Sequence, residues 1–161
     1  MVEKHEATLS LLARRAQQLR KQAGLTQDGL ARNLGRHRSL VSAVETGRKN
    51  LSLDTVDLIA STLGVEAVSL FEDRTVERDP RNVELLRERV SRNVQTLRNK
   101  RGMSQDELSE SADLWRGYVA YLESRKANAD LAHLEKLANA LGVTVGTLLA
   151  PPGAEEQVIK P

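Results

Sequence analysis

Residues 36–50, RHRSLVSAVETGRKN, place Arg36, His37, Arg38, Arg48 and Lys49 around one carboxylate, Glu45. Arginine and lysine side chains donate hydrogen bonds and never accept them, so at this density they suit the capture of a polyanion. A second stretch, DLWRGYVAYLESRK (113–126), gathers Trp115, Tyr118 and Tyr121, three of the four aromatic residues in the chain. Such a cluster serves as core, as a protein interface or as a surface that meets something flat. Charge is also segregated along the chain. Arg14 to Asn50 carries nine Lys or Arg against two acids, and Leu51 to Asp79 carries two against seven. The net charge of +2 hides this polarity, which gives one face suited to a polyanion and another that repels it.

Other chemistries are poorly supplied. The chain has no cysteine, which excludes disulfide frameworks and thiolate metal sites. Its three histidines form no ligand or triad arrangement, and His133 reads as a surface residue. No catalytic set, metal, cofactor or small-molecule site is therefore expected, and the chain reads as a non-enzyme. No apolar run approaches a membrane span, and MVEKHEATLS lacks the basic-then-apolar order of a signal peptide. The expectation is a cytoplasmic protein without a membrane partner.

The elements that must position these side chains come from an internal repeat. Sliding the chain by 78 residues aligns AQQLRKQAGLTQDGL, from Ala16, with VQTLRNKRGMSQDEL, from Val94. The same offset aligns LSLDTVDLIASTLGVEAVSLF, from Leu51, with ADLAHLEKLANALGVTVGTLL, from Ala129. About 17 of 58 positions are identical without a gap, so one structural unit is used twice.

Each copy reads as five helices. Leu9, Leu12, Ala16, Leu19 and Ala23 follow 3-4 spacing and predict a first helix that Gly24 ends. Thr26 is the expected N-cap of a second helix, and Ser104 with Glu107 forms a capping box in the other copy. A tight turn at Gly35 or Asp113 leads to a third helix, about 38–46 or 116–124. A fourth helix and a stub ending at Phe71 or Leu149 complete each unit. No segment alternates with period two for long enough to be a strand. The expected fold is all-α, with domains at 1–73 and 94–150, helix-turn-helix segments near 27–46 and 105–124, and a linker at 74–93. Asp79-Pro80 has the chemistry of a helix start, and Val83, Leu86, Val90, Val94 and Leu97 predict one helix running into the second copy. About 20 residues of helix span about 30 Å, near the 34–36 Å between major grooves on one DNA face, which suggests a spacer. Residues 151–161 are expected to be a disordered tail.

A helix, a short turn and a second helix form the pattern that docks in DNA, the first helix crossing phosphates and the second lying in the major groove. GLTQDGLARNLGRHRSLVSAVETGRKNLSLDTVDLIASTLGV and GMSQDELSESADLWRGYVAYLESRKANADLAHLEKLANALGV resemble the Cro/CI-type (Xre-type) helix-turn-helix repressors, whose fold is lambda-repressor-like. HRSLVSAVETGRKN and WRGYVAYLESRKAN also resemble the recognition segments of restriction–modification controller proteins.

The resemblance implies double-stranded DNA as partner. Gln27 and Gln105 match the family's phosphate-touching glutamine, and a helix N-terminus suits that contact. Arg38 and Arg116 match positions that read base edges, where arginine can engage guanine O6 and N7. Ser39 and Ser42 share the first copy's reading face, while Arg36, His37, Arg48, Lys49 and Asn50 flank it as phosphate contacts. Arg20 with Glu45, and Arg98 with Glu123, match a family ion pair between the first helix and the end of the third.

In the second copy the corresponding surface is Trp115, Arg116, Gly117, Tyr118, Tyr121, Lys126 and Asn128. Trp115 is expected as a part-buried anchor and Tyr118 beside the backbone, while Tyr121 points outward to a thymine methyl or a protein. This copy departs from the first. Gly117 and Ala120 replace Ser39 and Ser42, and Arg125 replaces the helix-ending Gly47. From Val94 to Asn128 it carries six basic residues against five acids. Two readings follow. In one, both copies read DNA and the chain is a repressor. In the other, the first binds DNA and the second serves dimerisation or a protein partner, as in an antitoxin-type regulator. A homodimer is left open.

Overall fold

The computed structural model describes residues 2–153, and the side chains of residues 8–153. Residues 154–161, most of the expected tail, lie outside the described residues. Repeat one comprises α1 (Val2–Gln22), α2 (Gln27–Leu34), α3 (Arg38–Glu45), α4 (Leu53–Thr62) and a 3₁₀ turn (Ala67–Leu70). Repeat two comprises α5 (Leu86–Lys100), α6 (Gln105–Ser111), α7 (Tyr118–Arg125), α8 (Leu131–Leu141) and α9 (Val145–Leu149). Among the described residues the only β pairing is two isolated bridges, Ser52 with Asp130 and Val65 with Glu77. The fold is all-α, with tandem helix-turn-helix units.

Local chemistry explains most boundaries. The Thr26 hydroxyl accepts from Gly29 N at 3.0 Å, satisfying one of the orphan donors of α2. In α6 the capping box closes both ways, Ser104 Oγ accepting from Glu107 N and Glu107 Oε2 from Ser104 N. Left-handed residues turn the chain between second and third helices, at Gly35 (φ 63) in one unit and Asp113 (φ 52) in the other. Val41 and Val44 on α3, and Val119 and Leu122 on α7, point inward at 3% exposure or less. Full burial of each such side chain contributes about 1.5–3 kcal/mol.

The linker differs from the sequence expectation. No helix starts at Pro80; α5 starts at Leu86. Asp79 Oδ1 accepts from Arg81 N, and Asn82 Oδ1 accepts from Glu84 N. These short side chains offer the backbone partners that compete with a helical ladder. Val83 and Leu85 are consequently exposed and do not join the apolar stripe of α5. Nor does the linker hold the repeats apart. Both units contribute to one continuous core.

The repeats meet about a pseudo-two-fold axis. Leu53 N donates to Ala129 O at 2.8 Å, and Leu131 N to Leu51 O at 2.9 Å. Asp54 N donates to Asn128 Oδ1 at 3.0 Å, and Ala132 N to Asn50 Oδ1 at 3.1 Å. Every partner in one bond is the 78-residue counterpart of a partner in the other. Helix contacts obey the same relation: α1 packs on α8 as α5 packs on α4, and α9 meets the 3₁₀ turn.

The third helices are not equivalent. Gly117 adopts φ 89, so α7 starts at Tyr118, two residues after the expected position. Glycine provides no side-chain cap, and Ser109 Oγ, fully buried, accepts from Val119 N instead. A Cβ on Gly117 would sit 3.3 Å from Trp115 Cζ3 in a backbone region unfavourable for other residues. Gly117→Ala is expected to lower stability by about 1–2 kcal/mol in urea unfolding; an unchanged midpoint would show that the turn relaxes freely. At its far end α7 runs to Arg125, and the left-handed residue is Lys126 (φ 51) rather than the counterpart of Gly47 (φ 65).

Candidate nucleic-acid interface

Repeat one exposes its cations on both sides of α3. Arg36, His37, Arg38 and Ser39 at the start of α3 are exposed, as are Arg48 and Lys49 beyond its end, and Ser42 is half-buried. Arg36, His37, Ser39, Lys49 and Asn50 line an open cleft of about 500 Å³ between α3 and the start of α4. Arg38 Nε lies 3.4 Å from Gln27 Oε1 and 3.8 Å from Asp28 Oδ2, with 63% of its side chain exposed.

A buried network supports this surface. Arg20 forms a two-pronged pair with Glu45, Nη2 donating to Oε2 at 3.0 Å and Nε donating to Oε1. Arg20 Nη1 also donates to Leu25 O at 2.7 Å, and Gln27 Nε2 donates to Glu45 Oε2 at 2.9 Å. Burial alone would raise the Glu45 pKa, but the hydrogen bonds from Arg20 and Gln27 and the charge of Arg20 outweigh it and hold it below the usual carboxylate range. Repeat two has the same set: Arg98 donates to Glu123 at 2.8 and 3.0 Å and to Met103 O at 2.8 Å, and Gln105 Nε2 donates to Glu123 at 2.6 Å. Each glutamine thus commits part of its amide to the buried carboxylate, leaving the rest at the helix start.

Several residues sit differently from where the sequence put them. Trp115 is not a part-buried anchor: it is 58% exposed in the turn before α7, its ring 6.0 Å from that of Tyr121, itself 47% exposed. Tyr118 is buried at 5%, and its ring stacks on His133 at 5.1 Å, so it belongs to the core rather than the interface. Burial pushes its hydroxyl pKa up to about 12. His133, expected on the surface, is half-buried beneath that ring, with Nδ1 2.8 Å from Asp130 Oδ1. Arg116 lies in the turn rather than on the helix, and its Nε is 3.2 Å from Asp106 Oδ2. Lys126 turns back, its Nζ donating to Glu123 O at 3.1 Å at the end of α7. Asn50 and Asn128 cap the opposite repeat's fourth helix, so their amide oxygens are engaged across the pseudo-two-fold.

Sequence reasoning missed the groups that join the repeats. Arg89 is 2% exposed and reaches Glu66 at 2.6 Å, Glu84 at 3.1 Å and Leu149 O at 3.4 Å. Arg15, equally buried, was also missed, though it ties α1 to the 3₁₀ turn and the start of the linker within repeat one, donating to Ser69 O, Arg74 O, Gln18 and Thr75. Nothing local marks these arginines as buried. Identity of Asn50 and Asn128 at equivalent positions was the one readable signal of the joint.

Comparison with known proteins agrees with this architecture. A helix-turn-helix domain model matches residues 11–70, and a second helix-turn-helix model matches residues 94–148. The Neisseria meningitidis protein described as a hypothetical transcription factor is 40% identical over 67 residues, covering 42% of this chain and 63% of that protein. A crystal structure of a hypothetical transcription factor from Neisseria aligns at 34% identity with a TM-score of 0.44, covering 51% of this chain and 91% of that one. The immunity repressor protein of Bacillus phage phi105 is 35% identical over 71 residues, covering 44% of this chain and 46% of the repressor. The chain thus spans less than two thirds of the length of the Neisseria meningitidis protein and of the phage repressor. Control protein C.SmaI of Serratia marcescens is 33% identical over 72 residues, covering 45% of this chain and 86% of the control protein. With two matched domains and relatives of these kinds, the chain belongs to the Cro/CI-type (Xre-type) helix-turn-helix regulators, in a tandem, controller-like form.

Proposed function

We propose that this chain is a sequence-specific double-stranded DNA-binding transcription regulator, acting as a repressor, with α3 and the 115–125 segment as its two reading elements. The observation that carries the proposal is the cleft flanked by Arg36, His37 and Lys49, beside an outward-facing Arg38. Such an array neutralises phosphates at the edge of a groove while one planar fork reaches the base edges. Repeat two offers less cation and more apolar surface, and Tyr121 with Trp115 suits contact with thymine methyls. The relatives named as an immunity repressor and a control protein support a regulatory role.

Selection from random duplexes followed by fluorescence anisotropy tests the proposal. A defined site is expected, with affinity falling about a thousandfold between ~50 and ~200 mM salt if about six phosphates are engaged. Absence of a preferred site together with a flat salt response would sink it. The exposed Trp115–Tyr121 pair also favours a second reading, in which repeat two docks a protein. Tyr121→Ala in the same assay decides: weakened DNA binding supports two readers, and unchanged binding supports the docking role.

A further inference from the structure

We infer that one chain supplies both halves of its DNA interface, binding as a monomer and in a single orientation on an operator with two unlike halves. The inference rests on the DNA-binding reading above. Two-headed readers of this geometry ordinarily arise when two copies meet through a self-complementary patch, each residue contacting its symmetry mate's partner. Here that reciprocity occurs within one chain. Leu53 N to Ala129 O is answered by Leu131 N to Leu51 O, and the two asparagine caps answer each other likewise.

These bonds lie a few residues beyond the ends of α3 and α7, so the pseudo-two-fold falls between the two reading elements. They also occupy the groups that a second copy would need. Leu51, Leu53 and Leu131 at the joint are at most 1% exposed. The edge through which this unit could pair is already filled by the chain itself.

The joint is reciprocal in its backbone and unlike in its charges. Buried Arg89 meets buried Glu66 at 2.6 Å on one side of the axis. The counterpart of Arg89 is Leu11, and that of Glu66 is Thr144, which together line a cleft on the other side. Pairing repeat one with another repeat one would set Leu11 against Glu66 and leave a buried carboxylate without its cation. Pairing two copies of repeat two would set Arg89 against Thr144. A buried charge without a partner is strongly disfavoured, which rules out pairing two copies of repeat one, and a pair of repeat-two copies would leave Arg89 with Glu84 as the one remaining carboxylate of its present two. One Arg38-bearing head and one Tyr121-bearing head are therefore always presented together, and turning the chain end for end puts the wrong head on each half-site.

The absence of cysteine makes the test direct. Asn33→Cys at the end of α2 and Ser111→Cys at the end of α6 are exposed, equivalent positions outside the reading residues. Each is labelled with an iron chelate that cuts nearby DNA, and the full chain is bound to its selected operator. Expected are cuts at one end only for each variant, at opposite ends for the two, with at least a tenfold preference. The binding isotherm should be first order in chain, and sedimentation of the unlabelled complex should give one chain per duplex. Both ends cut by each variant, or two chains per duplex, would overturn the inference while leaving DNA binding intact. Failure to select any operator would instead remove the DNA-binding reading, and the inference with it.

Discussion

Replacing Glu123 with alanine is expected to lower the free energy of unfolding by about 3–5 kcal/mol. The Glu123 side chain is 4% exposed and that of Arg98 11%, so neither is well hydrated. Removing the carboxylate deletes both prongs of the pair and the partner of Gln105, and leaves the guanidinium with Met103 O alone among its present acceptors. The pair's own net contribution is smaller than this loss, because its formation already required desolvating both ions. Glu123→Leu combined with Arg98→Met should therefore recover much of the stability that Glu123→Ala loses. Urea unfolding with a constant slope is the measurement; a loss under about 1 kcal/mol would show that water reaches Arg98. The Glu45 pair adds an acid signature. Its folded pKa is lowered, so its stabilisation is present above the ordinary carboxylate pKa and is lost as pH falls through the lowered value. The acid limb of the wild-type stability curve should steepen below the usual carboxylate range.

The sequence displayed features governed by near neighbours and concealed those governed by distant ones. Thr26, Ser104 and Glu107 bond within three residues of themselves, and these helix starts were readable from the string. Val41 and Val119 declare their burial through helical spacing. Gly117 was readable as a lost side chain, but its positive φ also delays α7 and moves Arg116 and Trp115 off the helix. A glycine in a reading segment therefore deserves consideration as a helix start. Asp79 and Pro80 form a plausible start by type, yet Asp79 and Asn82 bond their own backbone and hold the linker open. Asn50 and Asn128 looked like phosphate contacts because they follow basic residues in each copy. Their oxygens are claimed by backbone amides more than seventy positions away, which no local pattern encodes. A separation of 23 positions likewise hides the Arg89–Glu66 pair.

Arg38→Ala is expected to reduce discrimination at a single base pair of the operator by about 1–3 kcal/mol, or about 5–150-fold, with little loss at the others. Arg38 begins α3 with only its Nε engaged among the described residues, by the Gln27 amide oxygen, so its terminal nitrogens can meet a base edge. The nearby Asp28 at 3.8 Å is exposed and costs little to leave. Gln27 is itself held by Glu45, so the fork is aimed from a fixed support rather than from a mobile side chain. Arg116→Ala should behave differently. Its side chain is 88% exposed in a turn and leans on Asp106, with no link to Gln105 corresponding to the Arg38–Gln27 contact. A flexible cation in that position acts as a phosphate contact, weakening all sequences alike when removed and lowering the salt slope by about one. Base-by-base competition with each operator position varied in turn distinguishes these outcomes. A uniform loss for Arg38→Ala would reassign it to phosphate, and a loss confined to one base pair for Arg116→Ala would make the second head a reader by the same chemistry as the first.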